Sequence, residues 1–231
     1  MSACLSSTSF NNMNRLLIRA VLLESLGICV AQQVPLMLAP PTQVRFDSVD
    51  YRNILRWTPP NASVPLQYFV QWKIYGELEW LDVEGCQGIL KHHCDLSSVT
   101  PDLREWYYAR VHAFFLPSSK SAWALSPRFS PRFDTKINPP ILKLNVTEQG
   151  IVVRLKPSKA LIRKLQNKLH HKIYVTRTGG EEEVFEMECC LNKLTLRELQ
   201  HKETYCLQAQ TTIPHQAKSS TRGTLKCVTA V

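Results

Sequence analysis

Glycine and long apolar runs are both scarce in this chain of 231 residues. It has 8 glycines against 14 prolines, and many prolines flank apolar runs. That balance is typical of short strands with rigid connectors rather than of long helices. No run of roughly 20 apolar residues, the length that crosses a bilayer, follows Ala31. We therefore expect an all-β chain without a membrane anchor.

Signatures of catalysis are missing as well. The sequence has no Gly-x-Ser-x-Gly elbow, no His-Glu-x-x-His pair and no phosphate-binding glycine loop. His92 and His93 are strand neighbours whose side chains point to opposite faces, which makes them poor partners for a metal ion. The aromatic residues lie in predicted strands, a pattern that does not favour nucleic-acid binding. We expect a protein that is not an enzyme, with no cofactor, metal or nucleic acid.

The first 31 residues predict a secretory signal peptide. Arg15 and Arg19 supply positive charge, an apolar stretch follows, and Ala31 is a suitable small residue for cleavage. Met13 is an alternative start, and a cytosolic leader is the alternative interpretation. We expect the mature chain to be secreted into the extracellular fluid.

The cysteine content agrees with that compartment. Six cysteines follow Ala31: Cys86, Cys94, Cys189, Cys190, Cys206 and Cys227. Six cysteines allow fifteen pairings, which a sequence cannot separate. Local spacing favours the pairs Cys86–Cys94 and Cys206–Cys227. For the vicinal Cys189 and Cys190, a strained mutual bridge, a pair with another chain and free thiols all remain open. The sequons at Asn61 and Asn145 predict N-glycosylation.

Two similar segments, each led by a tyrosine, predict two sandwich domains. Tyr107 and Tyr205 each open a short apolar strand, four and six residues after Leu103 and Leu199 respectively. This pattern fits the tyrosine corner of Ig-like sandwiches, in which the hydroxyl caps backbone just upstream. The two tyrosines are 98 residues apart, about the length of one such domain. We predict a leader at 1–31, a first domain at 32–136 and a second at 137–231.

Local patterns in the second half add two predictions. The pair Gly179-Gly180 predicts a hairpin turn between two strands. Leucines 161, 165 and 169 have helical spacing within residues 158–169. We expect this stretch to be a loop with one helical turn rather than a core helix.

Several motifs together resemble the class II cytokine receptors. Those that resemble the first domain are residues 53–57, 70–76, 94–96, 107–111, 122–123 and 127–131, with Cys86. Residues 204–206 with Cys227 resemble the second domain. The likeness covers almost the whole chain after Ala31, and it is greatest to a family member made without membrane or cytoplasmic segments.

This resemblance implies two fibronectin type III sandwiches that meet at a bent elbow and bind a helical class II cytokine. It implies a partner similar to interleukin-22, bound one per monomer and kept from its signalling receptor. Two alternatives remain: the ectodomain or splice form of a membrane receptor, and a matrix module that binds heparan sulfate. The second alternative depends on residues 154–177, which hold eight Lys or Arg and no Asp or Glu.

The resemblance also indicates which residues to expect at the cytokine interface. Tyr75 and Gly76 match the tip of a loop that enters the cytokine. One further contact loop follows the sixth strand of the first domain, and a corresponding loop lies in the second. The expected contact residues are Tyr75, Gly76, Phe115, Leu116, Pro117, Ile213 and Pro214. Trp123 is expected to stack with Arg110 and Arg128 in a structural role.

Overall fold

The computed structural model describes residues 38–115, 119–165, 168–177, 179–188, 191 and 193–231. The predicted leader lies outside the described residues, and so do Leu116, Pro117, Cys189 and Cys190. Within the described part, no helix is both long enough and apolar enough to cross a bilayer.

The first sandwich packs a three-stranded sheet, β1-β2-β5, against a sheet of order β4-β3-β6-β7, in which β8 also pairs with β6. Its strands are β1 Thr42–Val49, β2 Arg52–Thr58, β3 Gln67–Ile74, β4 Leu81–Ile89, β5 His93–Asp95, β6 Tyr107–Phe115, β7 Ser119–Lys120 and β8 Ala124–Leu125. Leu55, Val70 and Val111 are fully buried between the two sheets. Alternation of apolar residues along the strands therefore builds one core.

The second sandwich repeats this arrangement with sheets of order β13-β10-β9 and β12-β11-β14-β15, in which β16 also pairs with β14. Its strands are β9 Ile141–Thr147, β10 Gly150–Lys156, β11 His170–Arg177, β12 Glu182–Met187, β13 Lys193–Leu196, β14 Thr204–Ile213, β15 Lys218–Ser219 and β16 Lys226–Thr229. The predicted hairpin is present, since β11 and β12 pair antiparallel around Gly179 and Gly180. Two tandem sandwiches confirm the predicted all-β class.

Both tyrosine corners are confirmed. The Tyr107 hydroxyl accepts a hydrogen bond from the Asp102 amide and donates one to the Asp102 carbonyl, each at 3.2 Å. The Tyr205 hydroxyl accepts one from the Gln200 amide at 3.0 Å. Each ring is buried, so the hydroxyl fixes the preceding turn while the ring closes one end of the core.

Among the residues that the structure describes, each sandwich holds one disulfide. Cys86 on β4 joins Cys94 on β5 and so links the two sheets of the first sandwich. Cys206 joins Cys227 across the neighbouring strands β14 and β16. These are the pairs that local spacing favours. By restricting the unfolded chain, a disulfide typically stabilises a small domain by about 2–4 kcal/mol.

The prediction for residues 158–169 was wrong. A two-turn helix, α2, spans Lys159–Leu165; the other short helices are α1, Pro131–Asp134, and a 3₁₀ helix, Pro214–Gln216. Leu161, Leu165 and Leu169 are all buried, and they form a cluster with Tyr51, Ile137 and Ile213. The leucines do have the spacing of a helix. Their apolar face is buried by residues from both sandwiches, and a local sequence pattern does not show that contact.

Polar contacts fix the connecting segment at the same junction. The Asn138 amide donates to an Asp50 carboxylate oxygen at 2.9 Å. Asp50 and Tyr51 form the two-residue turn between β1 and β2, and both have positive φ, as a tight hairpin requires. The Tyr51 amide donates to the Thr135 hydroxyl at 3.0 Å, so this turn holds the segment that leads into the second sandwich.

Candidate functional site: the elbow surface

Strand pairing places Tyr75 at the end of the first sandwich that faces the second. Ile74, the last residue of β3, lies opposite Tyr107, the first residue of β6. The Tyr75 amide donates to the Trp106 carbonyl at 2.7 Å. Tyr107 also pairs with Phe129, just before α1 and the connecting segment. The predicted contact loop is therefore part of the elbow.

The tip of this loop is open to a partner. The Tyr75 side chain is 56% exposed. Gly76 has φ +94°, and no atom lies within 4 Å of the position that a Cβ would take. This left-handed backbone favours glycine, and its bare surface lets another main chain approach closely. Both residues are accessible, and their role in binding a cytokine stays a prediction.

Tyr75 belongs to a line of side chains in aromatic or cation–π contact, which we call the elbow ladder: Tyr108, Tyr75, Arg128, Trp106 and Phe133. The rings of Tyr75 and Tyr108 have centroids 6.2 Å apart. The Arg128 guanidinium lies 5.5 Å from the Tyr75 centroid and 4.2 Å from that of Trp106. Trp106 in turn stacks on Phe133 at 5.6 Å.

This stacking matters because it orders large side chains before a partner arrives. Aromatic rings supply much contact area, and neighbours that already restrict their rotamers reduce the entropy lost on binding. Phe133, at the end of the elbow ladder, remains 60% exposed. The elbow ladder can therefore present an apolar, preorganised surface.

The loop of the second sandwich that holds Pro214 is fixed beside α1. Lys218 Nζ donates to the carbonyls of Phe133 and Thr135 at 2.9 and 2.7 Å. Burial lowers the pKa of Lys218, an effect that Asp134 partly opposes. The Tyr51 hydroxyl donates to Gln216 Oε1 at 2.8 Å. Pro214 is exposed here, so it borders the elbow ladder as a contact residue would.

Positive charge lies at the same border. Desolvation lowers the pKa of His215, and the nearby cations Lys168 and Arg132 lower it further. The ring is therefore biased toward its neutral form, and this part of the elbow favours acidic groups on a partner.

Two expected contact residues do not fit. Ile213 is fully buried in the cluster between the sandwiches, so its side chain supports the loop instead of meeting a partner. Phe115 ends β6, eight residues after Tyr107, or about 27 Å at 3.4 Å per residue. It lies at the opposite end of the sheet from Tyr75, so the two cannot form one compact patch. The order of residues in the sequence did not show which end of the strand each loop would occupy.

Sequence reasoning missed Trp106 and Phe133. Phe133 lies in α1, where the Ser-Pro-Arg-Phe-Asp stretch starts a short helix that turns the ring outward. The assignment of Arg128 to Trp123 was also wrong, since Arg128 stacks on Trp106 and Tyr75. An aromatic residue immediately before a tyrosine corner was the available signal for Trp106.

The predicted stack of Arg110 on Trp123 is confirmed, and it has a second ring. The Arg110 guanidinium lies 4.3 Å from the Trp123 centroid and 4.2 Å from that of Trp80. Its Nε and Nη2 both donate to Gln71 Oε1, at 2.9 and 2.6 Å. These contacts link Arg110 to Trp80, Trp123 and Gln71 on the outer face of the sheet that contains β3 and β6.

The sequons occupy accessible positions, since Asn61 and Asn145 are both exposed. Within the described ranges, no three His, Cys, Asp or Glu side chains come together as metal ligands would.

Tandem sandwiches with tyrosine corners and a packed junction define a two-domain module of the fibronectin type III kind, and comparison with known proteins gives its family. The tissue factor family model matches residues 17–123. The model for the interferon-alpha/beta receptor, fibronectin type III, matches residues 135–230.

Individual relatives agree. Rat interleukin-22 receptor subunit alpha-2 is 31% identical over 199 residues, which cover 81% of this chain and 86% of that protein. Human interleukin-20 receptor subunit alpha is 32% identical over 199 residues, but the chain spans only 35% of its length. Bovine interleukin-22 receptor subunit alpha-1 is 45% identical over 98 residues, 42% of this chain and 17% of that protein. The chain belongs to the class II cytokine receptor family, whose members are binding proteins rather than enzymes.

A solved structure shows the same fold. The crystal structure of the chicken interferon gamma receptor alpha chain superposes with a TM-score of 0.74, covering 84% of this chain and 98% of the other. Sequence identity is 22%, so this likeness concerns the tandem fibronectin type III architecture alone.

Proposed function

We propose that this protein captures a helical class II cytokine similar to interleukin-22 at the elbow ladder and withholds it from its signalling receptor. The observation that carries the site is the exposed Tyr75 beside the open backbone of Gly76, at the end of a preorganised row of rings. Support for the ligand comes from rat interleukin-22 receptor subunit alpha-2, of which 86% aligns with this chain.

The chemistry of the elbow suits the side of a helix. Binding energy in interfaces concentrates in a few central aromatic and arginine anchors within a polar rim. Tyr75 and Phe133 would be such anchors, since both are more than half exposed and both rest on Arg128 or Trp106. Pro214 would add a contact from the second sandwich. Because Tyr51, Asp50 and Lys218 hold the two sandwiches together, both sides of the elbow would meet the ligand in fixed register.

We further propose that the protein acts outside the cell, as a monomer that binds one cytokine. The two disulfides agree with an oxidising compartment. The exposed sequons Asn61 and Asn145 agree with passage through the secretory pathway. The alternative is the ectodomain of a membrane receptor or its splice form, and transcript sequencing through the codon for Val231 separates the two.

The test is binding of the purified, secreted chain to interleukin-22 of the same species, measured on a sensor surface. Interleukin-10 and interleukin-20 serve as controls, and a cell assay of interleukin-22 signalling measures antagonism. Tight binding confined to interleukin-22, with loss of signalling, supports the proposal. No binding to any of the three by a folded, monodisperse sample contradicts the ligand assignment.

A further inference from the structure

The outer face of the second sandwich carries a row of exposed positive charge. In the β13-β10-β9 sheet, Arg154 lies directly opposite Lys193 on one side and Lys143 on the other. Directly opposed residues point to the same face, and all three side chains are exposed. Lys156, two residues after Arg154 on β10, is exposed on that face as well. We call Lys143, Arg154, Lys156 and Lys193 the basic face.

Nothing within the sheet compensates these charges. The sequences of β9, β10 and β13 contain no Asp or Glu. The ion pairs found among the described residues include none with a member of the basic face. Like charges directly opposite in a sheet destabilise it, because their Cβ atoms are only about 5 Å apart. A row of cations that costs stability and has no ion-pair partner among the described residues calls for an anion from outside.

The structure also changes which cations belong together. The sequence pattern grouped residues 154–177, but several of these lie elsewhere. Lys172 lies opposite Glu186 on a different sheet and pairs with it at 2.8 Å. Lys164 donates to the Pro101 carbonyl at the elbow. Of that stretch, only Arg154 and Lys156 lie on the basic face, whereas Lys143 and Lys193 come from outside it.

We propose that the basic face binds a sulfated glycosaminoglycan. Its three opposed cations span two strand spacings, about 10 Å, and Lys156 extends the set by about 7 Å along β10. A flat, exposed row at this spacing fits a linear chain with closely spaced sulfates, which can lie across the strands and meet each cation in turn. Charge complementarity selects this occupant, and the surface lacks the exposed aromatic rings of the elbow ladder. The site shares no residue with the elbow ladder, so a captured cytokine and a glycan can be held together.

A predicted N-glycosylation site lies on the same face as these cations. Asn145 is exposed two residues after Lys143 on β9, and so points to the same side of the sheet. A glycan on Asn145 would cover part of the basic face. Binding is therefore measured on the Asn145→Gln protein as well as on the native glycoform, and the first is expected to bind at least as tightly.

The test measures affinity for heparin at several NaCl concentrations. The triple variant Lys143→Gln, Arg154→Gln, Lys193→Gln is expected to lose at least about tenfold in affinity and to show a shallower salt dependence, because fewer counterions are released. A matched control, Arg45→Gln, Lys91→Gln, Arg177→Gln, removes the same charge from exposed sites elsewhere. It is expected to stay within about twofold of the parent, since diffuse charge at a distance is screened.

Equal losses in the two triple variants would assign the effect to net charge and overturn the site. Heparin binding that persists in the basic-face variant, or that is absent from the parent at physiological salt, would also overturn it. Binding to polyglutamate as tight as to heparin would assign the face to acidic proteins and contradict the glycan. Cytokine affinity is measured on the same variants and is expected to remain unchanged, which keeps this result separate from the elbow proposal.

Discussion

The two sandwiches have the same architecture but differ in the charge of their surfaces. Each has a tyrosine corner, the same arrangement of sheets and, within the described ranges, one disulfide. Residues 38–136 carry 11 Lys and Arg against 10 Asp and Glu, whereas residues 137–231 carry 15 against 8. In the first sandwich Arg110 and Arg128 stack on aromatic rings, and Arg52, Arg56 and Arg104 pair with aspartates. In the second, the basic face has no ion-pair partner among the described residues. The similar cores therefore set the fold of each sandwich, and the outward-facing positions are free to carry different side chains for binding.

The largest expected difference between the sandwiches is in how their stability responds to low pH. Burial lowers the pKa of His171 in the second sandwich to about 4, and it lowers the pKa of His112 in the first. Unfolded histidine has a pKa near 6.5, so the unfolded state gains the proton first as pH falls. The free energy of unfolding that depends on these neutral histidines is therefore fully present above about pH 6.5 and declines as the pH falls toward 4. At pH 4, protonation of His171 in the unfolded state alone should lower the free energy of unfolding by about 3 kcal/mol.

Urea unfolding at pH 7, 5.5 and 4.5 measures this effect. His171→Gln should reduce the loss of unfolding free energy between pH 7 and 4.5, and His112→Gln is the matched variant in the first sandwich. A native chain that keeps its full stability at pH 4.5 would show that His171 is not held neutral by its burial.

The second expected difference concerns stacked arginines. Arg110 lies between Trp80 and Trp123 and donates twice to Gln71, so Arg110→Ala should reduce the free energy of unfolding by about 2 kcal/mol. Arg110→Lys should recover only part of this, because lysine lacks the planar guanidinium. In the second sandwich, Arg222 stacks on Tyr174 alone and pairs with Glu182 in solvent. Arg222→Ala should cost less, and an equal or larger cost by urea titration would contradict this ranking.

The smallest expected effect has the opposite sign. Arg154→Thr removes the central charge of the basic face and places a good strand former there, so it should stabilise the protein by about 0.2–1 kcal/mol. Lys172→Thr is the control, because Lys172 lies opposite Glu186 and its removal relieves no repulsion. Thermal unfolding of both variants measures this effect. A lower melting temperature for Arg154→Thr would mean that repulsion within the basic face does not destabilise the sheet.

The sequence predicted the architecture because its evidence is local. Tyr107 opens the strand β6 as expected, and the two corner tyrosines located both sandwiches. The edge strand β4, Leu81–Ile89, pairs with β3 irregularly. Gly85 and Gly88, both with positive φ, let that strand continue through its irregular pairing.

The site was predicted only in part, because it depends on which loops share an end of a sandwich. The motif assigns Tyr75 and Gly76 to the candidate site, and their contact with a cytokine stays a prediction. Phe115 was grouped with them although the strand register separates it from Tyr75. Trp106 and Phe133 meet only through tertiary stacking, and Ile213 is covered by leucines from α2. The basic face needed the register of three strands, which no window of sequence contains.

The most direct test of the account compares the two ends of the first sandwich in one binding experiment. Tyr75→Ala removes the exposed ring of the elbow ladder, and Phe115→Ala removes an exposed ring at the far end of the same sheet. With interleukin-22 as ligand, we expect Tyr75→Ala to weaken affinity at least about tenfold, or roughly 1.4 kcal/mol, and Phe115→Ala to stay within about twofold. Full affinity in a folded Tyr75→Ala variant, together with a loss in Phe115→Ala, would place the cytokine at the wrong end of the molecule for this account.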